Sequence, residues 1–399
     1  MSLSPEVVII ADDLTGALDA SAPFAERGFR PVVVPSFALE STAQADVAVL
    51  CSDSRDGAGG RARGRIAAYG DWIRTVNPRI VGLKVDSLLR GDPVGDLEVL
   101  LRASGRSGPI LIAPALPRQG RTVVRGRVLV DGISLERTEH HSACVARGVA
   151  EAILPPGRAR THFSIRDIRS PGFQRRLRAG SGGFVVLDAE TDQDLDAIVA
   201  AGLAIEQATW VGSSGLFSAL ARAVRRSEKR LARAATLSSE NLLVVAGSAS
   251  SATTRQLNTL KASGLRLHGV DPVEPTRDIA ARVRHDLSVD GIAAIHSIRV
   301  RASAGALSAE HAARLADVVA DLHDIVDGLV IVGGDTTQRV FRRLGVQSLI
   351  VTSALFGGAT LGITRPAPGI SFICKAGSFG DDRTLVRAVE SLRAQKRTP

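Results

Sequence analysis

Apolar residues gather in short unbroken runs, and each run stops at a polar or glycine-rich cluster. Val7 to Ile10 (VVII) ends in Ala11-Asp12-Asp13, and Phe29 to Val34 supplies the next β-rich run. Ala45 to Cys51 (ADVAVLC) ends in Ser52-Asp53-Ser54-Arg55, and Pro78 to Lys84 (PRIVGLK) leads into Val85-Asp86-Ser87. Ile110 to Ala113 closes in Pro114-Ala115-Leu116-Pro117. Runs of this length without alternation predict strands buried on both faces, as in parallel sheets. Between them the apolar spacing is helical: Leu18, Ala22 and Ala25 first, then Ala67 to Thr75, then Val94 to Ala103. Pro23 must fall in the first turns of its helix or kink it. Strands alternating with helices predict an α/β domain with a largely parallel sheet, whose ligands gather at the carboxyl ends of the strands.

The pattern then lapses and restarts. Val123 to Val130, with Asp131-Gly132 as its turn, predicts a hairpin insertion. Phe184 to Leu187 and Thr209 to Val211 are later strands, and Ala219 to Ala235 is an arginine-rich helix. The loop-like Thr236 to Glu240 marks a boundary near residue 238. Since 399 residues are long for one core, two domains are expected, 1–238 and 239–399, each a largely parallel sheet flanked by helices. In the second, Asn241 to Ala246 opens into Gly247-Ser248-Ala249-Ser250-Ser251, and Gly328 to Val332 into Gly333-Gly334-Asp335-Thr336-Thr337. Leu349 to Thr352 is a short strand, Ser371 to Cys374 feeds Lys375-Ala376-Gly377-Ser378-Phe379-Gly380, and Arg383 to Arg393 is a last helix.

Composition narrows the class. At 45% apolar and 23% charged residues the chain has ordinary globular proportions. It carries no apolar run long enough for a membrane span and no signal-peptide pattern at its start, so a cytoplasmic protein without a membrane partner is expected. Cys51, Cys144 and Cys374 have neither disulfide nor metal-ligand spacing, and the adjacent His140 and His141 read as a solvated loop, so no zinc is expected. The net charge of +9 is spread as single arginines, with only 4% aromatic residues. That argues against single-stranded nucleic acid and for a field that draws small anions. Only five basic residues are lysines, two of them, Lys84 and Lys375, at strand ends. A lysine kept where arginine is the default suggests a need for a compact ammonium.

Two kinds of cluster carry chemistry. Asp12-Asp13 and Lys84-Val85-Asp86-Ser87 with Arg90 offer cations for a carboxylate, and acceptors with a hydroxyl for alcohols, the mixture a polyhydroxylated acid needs. Asp13 and Asp86 are the candidate bases towards a hydroxyl. The plainer readings are that Asp12 or Asp13 caps a helix, and that Lys84 pairs with Asp86 while Ser87 caps the next helix. The three Gly/Ser/Thr-rich turns of the second half suit phosphate oxygens approaching backbone amides. None is a Walker A sequence, and no G-x-G-x-x-G follows a strand, so a composite phosphate surface is expected. Asp335 is the carboxylate for Mg²⁺, or else a helix N-cap.

These motifs resemble the four-carbon acid sugar kinase family, whose members phosphorylate threonate, erythronate or 3-oxo-tetronate with ATP. The resemblance rests on A-D-D-L-T-G-A-x-D at 11–19, K-x-D-S-x-x-R-G at 84–91 and P-A-x-P-x-x-G-R at 114–121. It continues through Gly247 to Ser250 with Thr253, G-G-D-T at 333–336 and K-x-G-x-F-G at 375–380. The chain departs from the pattern at Leu88, over 139–144 and between Phe356 and Gly369. The resemblance implies an N-terminal acid-sugar-binding domain, a C-terminal nucleotide-binding domain and an active site in the cleft between them. ATP would contact Ser248, Gly333, Gly334, Asp335, Thr336 and Gly377. The sugar acid would meet Asp12, Asp13, Lys84, Asp86, Ser87, Arg90 and Arg121. The expected activity is ATP- and Mg²⁺-dependent phosphorylation of a hydroxyl of a small sugar acid, and a homo-oligomer is compatible with it. The competing expectations are a nucleotide-cofactor oxidoreductase on the same acids, and a non-catalytic sugar-acid or nucleic-acid-binding regulator.

Overall fold

A strand buried on both faces needs a covering helix on each side, so parallel strands and crossover helices come together. The computed structural model describes residues 4–35, 38–55, 59–138, 148–180, 182–224, 237–298, 306–366 and 369–393. The chain divides into two compact units, Met1–Val33 with Leu39–Ala232 and Val34–Ala38 with Arg233–Pro399. Among the described residues no helix is long and apolar enough to cross a membrane.

The first unit runs β1 (Val7–Ala11), α1 (Leu14–Glu26), β2 (Pro31–Val34), β3 (Val47–Cys51), α2 (Gly59–Val76), β4 (Ile80–Lys84), α3 (Pro93–Ser104) and β5 (Ile110–Ala113). A meander follows, β6 (Arg121–Val124), β7 (Arg127–Val130) and β8 (Ile133–Ser134). Then come α4 (Val149–Ile153), β9 (Arg160–Phe163), α5 (Ile165–Ile168), α6 (Phe173–Gly180), β10 (Phe184–Leu187), α7 (Asp192–Gly202), β11 (Thr209–Gly212) and α8 (Ser214–Ala223). The main sheet has the order β2-β3-β1-β4-β11-β5-β10-β9. Every residue of β1, β3 and β4 is buried, as their unbroken apolar runs predict.

Pro23 lies deep inside α1, well past its first turn, the case in which a kink is expected. One local expectation is corrected and one strand went unread. The insertion is a three-stranded meander. Its first turn is Arg125-Gly126, both with positive φ, and Asp131-Gly132 instead turns β7 into β8. Arginine is not a turn-former, so the sequence hides this turn. The buried Asp188 holds it, accepting from the Arg125 and Gly126 backbone N–H groups at 2.7 and 2.9 Å. Finally, β9 carries Arg160, Thr161 and His162 and so offers no apolar run to read.

The second unit runs β12 (Leu242–Ala246), α9 (Ser251–Ala262), β13 (Leu267–Val270), α10 (Thr276–Asp290), β14 (Ile292–Ser297), α11 (Ala306–Ala320), β15 (Gly328–Val332) and α12 (Gly334–Arg343). It ends with β16 (Ser348–Ala354), β17 (Thr360–Arg365), β18 (Ser371–Lys375) and α13 (Thr384–Leu392). The order is β13-β14-β12-β15-β18-β17-β16. The first five strands are parallel, whereas β17 runs antiparallel to both β18 and β16. That antiparallel edge is absent from the sequence expectation, because β17 alternates buried with half-buried residues and has no continuous apolar run. The His140-His141 pair, Cys144, the departure over 139–144 and most of the predicted Ala219 to Ala235 helix lie outside the described residues.

Candidate functional site

Register in the first unit brings strand ends level. Ala11 pairs with Cys51 on one side and Lys84 on the other, while Gly212 pairs with both Lys84 and Ala113. The polar residues that follow these ends therefore meet across large sequence separations. Arg55 is the hub. Its Nε and Nη2 each donate to Asp12 at 2.8 Å, its Nη1 donates to Asp13 at 2.6 Å, and Nη2 lies 3.8 Å from Asp86. Lys84 Nζ lies 3.8 Å from Asp12. Gly16 permits this crowding, since a Cβ there would come within 2.7 Å of Lys84 Nζ.

Asp13, rather than Asp12, is the N-cap of α1, accepting from Gly16 N at 2.7 Å and from the Thr15 hydroxyl at 2.6 Å. Capping and participation in the charged cluster are thus one arrangement. Asp86 is gripped by Arg90, whose Nε and Nη2 donate at 2.8 and 2.7 Å, and by the Leu88 N–H at 3.0 Å. The turn that allows this places Leu89 at φ 59°. Two plainer expectations fail here: Lys84 sits against Asp12 instead of pairing with Asp86, and Asp92, not Ser87, caps α3. Ser87 instead accepts from Arg121 Nη1 at 2.6 Å.

Burial pushes the Asp86 carboxyl up, but the Arg90 hydrogen bonds and the charges of Arg55, Arg90 and Lys84 outweigh it, holding the group far below the ordinary carboxylate range. Asp13 is also lowered: burial opposes ionisation, while Arg55, Lys84, Thr15 and Gly16 favour it more. Carboxylates held this way are weak bases and good acceptors. Asp96, on α3, goes the other way. Burial raises it to about 6, despite a hydrogen bond of 2.5 Å from Ser54. Through Ser54, which also touches Ser52, Asp96 braces the loop that presents Arg55. Within the cluster the Arg90 side chain is 42% exposed, whereas those of Lys84 and Asp12 are 6% and 8% exposed. Of these side chains Arg90 is therefore the one most open to the surface, with Lys84 and Asp12 buried behind it. Sequence reading missed Arg55 and Asp96. The signal for Arg55 was its place in the polar cluster after β3; Asp96 looks like any acidic residue in a first helical turn.

In the second unit Ala246, Val332 and Lys375 are again level across β12, β15 and β18. The three turns that follow touch one another. Ser250 caps α9, accepting from Thr253 N at 3.1 Å and donating to the Gly377 carbonyl at 2.7 Å, which the Thr253 hydroxyl also reaches at 2.9 Å. A Cβ on Gly377 would overlap Ser248 Oγ. Gly333 has φ 112°, accessible in practice only to glycine, and stands at the N-cap position of α12. Its N–H donates to Lys375 O at 3.0 Å. Gly334, Asp335 and Thr336 form the first turn of α12, which presents backbone N–H groups and the positive end of the helix dipole. Asp335 does not cap that helix; its carboxylate accepts from Arg339 Nε at 2.8 Å. Among the described residues no cluster of three or more His, Cys, Asp or Glu is placed to hold a metal ion. The donor set suits a Mg²⁺ arriving on phosphates, with one carboxylate nearby, better than a resident protein-bound metal.

Comparison with known proteins bears on both clusters. Residues 7–220 match a sugar-binding N-terminal domain family and residues 243–385 a nucleotide-binding C-terminal domain family. The chain is similar to a D-threonate kinase of Salmonella typhimurium, 28% identical over 96% of this chain and 97% of the relative. It is also similar to a 3-oxo-tetronate kinase of Burkholderia multivorans (28% identical) and a D-erythronate kinase of Heliobacterium modesticaldum (25% identical), each matched over 97% of both chains. A crystal structure of a Haemophilus influenzae protein shares the fold with TM-score 0.73 and 20% identity, over 96% of this chain and 99% of that one.

Proposed function

The chain belongs to the four-carbon acid sugar kinase family, and from that premise we propose that it transfers the γ-phosphoryl group of Mg-ATP to a hydroxyl of a four-carbon sugar acid. The observation that carries the reading within the chain is the pair of strand-end clusters, one dense in opposed charges and one built of glycine and hydroxyl turns. In the first, Arg90 and Arg121 are assigned to the substrate carboxylate, and Asp13, Asp86 and Ser87 to its hydroxyls. Arg55, Lys84 and Asp12 hold that surface in place. In the second, Ser248, the 333–336 turn and Gly377 are assigned to the phosphates.

In the reaction the acceptor oxygen attacks the γ-phosphorus, the bond to the β–γ bridging oxygen breaks, and ADP leaves. The hydroxyl proton passes to a carboxylate or to solvent. Such transfer depends on positioning and charge neutralisation more than on a strong base. That accords with the lowered basicity of Asp13 and Asp86, which suits them to orient the hydroxyl. Mg²⁺, carried by the phosphates with Asp335 close by, would neutralise charge on the transferred group.

The deciding experiment follows ADP release with D-threonate, D-erythronate and 3-oxo-tetronate as acceptors in the presence of Mg-ATP. Turnover with one of them, and none with NAD(P)H-linked oxidation of the same acids, is the expected outcome. ADP release from none of these acids, by protein that is folded and binds ATP, would remove the proposed substrate class.

A further inference from the structure

Lys375 is the last residue of β18 and one of the largest fully buried side chains, only 1% exposed. Among the described residues its ammonium nitrogen has no hydrogen-bond partner and no neighbouring charge acts on it. Burial pushes its pKa down to about 8. An ionised group in such a place is costly unless an anion balances it. Arg55, Lys84 and Arg90 of the first unit's cluster each have a carboxylate partner. Among the described residues Lys375 has none, so its counter-ion is sought in a ligand.

Position indicates what does. Alternation along β18 puts Lys375 on the same face as Ile373, which packs with Ala246, Val332, Leu385 and Ala388. Its own carbonyl accepts from Gly333 N, and two residues on, Gly377 joins Ser250 and Thr253 at the start of α9. The strand that carries this unpartnered ammonium therefore ends where three turns and two helix N-termini converge, already a favourable setting for phosphate.

We infer that Lys375 is the fixed positive charge of the nucleotide-phosphate surface, its missing counter-ion being a phosphate group of the bound nucleotide. The assignment rests on the nucleotide reading above. A bound phosphate stabilises the protonated amine, so nucleotide binding and protonation of Lys375 promote one another. The side chain acts as a positioning charge; it neither gives nor takes the reacting proton.

The experiment uses the full-length chain labelled with ¹³Cε-lysine, in which five lysines give few signals and a K375R variant identifies the one of interest. Its titration midpoint is measured by NMR with and without saturating ADP, and ADP affinity is measured by calorimetry for wild type and K375M. The midpoint is expected to rise by about one unit or more on ADP binding. K375M is expected to weaken ADP about tenfold or more, the loss of one charge-assisted contact. A midpoint that stays put in ADP-saturated wild-type protein overturns the assignment, even if K375M fails to fold. Wild-type affinity in a folded K375M overturns it equally. Absence of any ADP binding by the wild-type chain would overturn this inference together with the nucleotide reading, whereas the first two results leave that reading standing.

Discussion

The two strand-end clusters use the same backbone device with opposite electrostatics. In the first unit, level parallel strands present Asp12, Asp13 and Asp86 against Arg55, Lys84 and Arg90, paired with one another. In the second, level strands present Gly333, Gly377, Ser248 and the start of α12, with Asp335 tied to Arg339 and the buried Lys375 ammonium without a partner among the described residues. A surface of opposed charges can recognise both the carboxylate and the alcohols of a sugar acid, since each needs a different partner. A backbone surface recognises phosphate without regard to what the phosphate is attached to. On this contrast, stability in the first unit depends on charge pairing, whereas in the second unit ligand affinity depends on backbone shape.

The most severe test is Arg55→Met. It removes the partner shared by Asp12, Asp13 and Asp86 and leaves Asp12 and Asp13 with Lys84 as their remaining cation, a change that costs up to about 3–5 kcal/mol in comparable sites. Thermal denaturation should show a large drop in Tm, and kcat/KM should fall below detection. Adding Asp12→Asn should recover part of the stability and none of the activity; if the double variant is no more stable than the single one, charge pairing is not what holds this cluster.

Next in size is Gly333→Val. A β-branched residue at φ 112° costs about 1–3 kcal/mol or more in backbone strain. ADP affinity by calorimetry should fall about ten- to hundredfold, while sugar-acid affinity, measured separately, stays near wild type. Equal losses of both ligands would erase the proposed division of labour.

Arg90→Ala should lower kcat/KM for the sugar acid about ten- to hundredfold, the equivalent of losing a charge-assisted bond of about 1.5–3 kcal/mol. ADP binding should not change. Asp86→Asn keeps the shape and one of the two accepting oxygens. If Asp86 orients the acceptor hydroxyl, its effect should appear chiefly in kcat, and the acid limb of the pH–rate profile should not move, since Asp86 is ionised throughout the working range. A shift of that limb in Asp86→Asn would assign the carboxylate a proton-transfer role instead.

The smallest effect on activity is expected at Asp96, where substitution should stabilise. Its folded-state pKa of about 6 lies above the ordinary 3.8, so ionisation favours the unfolded chain. The resulting cost is complete above about pH 6 and fades as the pH falls towards 3.8. Asp96→Asn, which keeps an acceptor for Ser54, should therefore raise stability above pH 7 by up to about 2–3 kcal/mol. The gain should shrink steadily on acidification to pH 4. A uniform gain at every pH would point to packing rather than charge.

The sequence by itself determined most of the buried strands, their order along the chain and the polar clusters that follow them, because a strand covered on both faces must be written as a continuous apolar run; β14, with four buried residues at its start, went unread. It also singled out Asp12, Asp13, Lys84, Asp86, Ser87 and Arg90 in the first half and the three turns in the second as candidates, from residue types and spacing within short segments, and Arg121 through the family resemblance. Partly exposed strands escaped it: β9 with its arginine and histidine, and β17 with its half-buried alternation, carry no such run. Nor could it reveal which groups pair. Arg55 reaches Asp12 and Asp13 across more than 40 residues, and Arg121 reaches Ser87 across 34. Those meetings are decided by register, which sets Ala11, Cys51 and Lys84 side by side. The isolation of Lys375 is likewise a tertiary fact, since whether a lysine has a counter-ion depends on every element packed around it and on none of its neighbours in the chain.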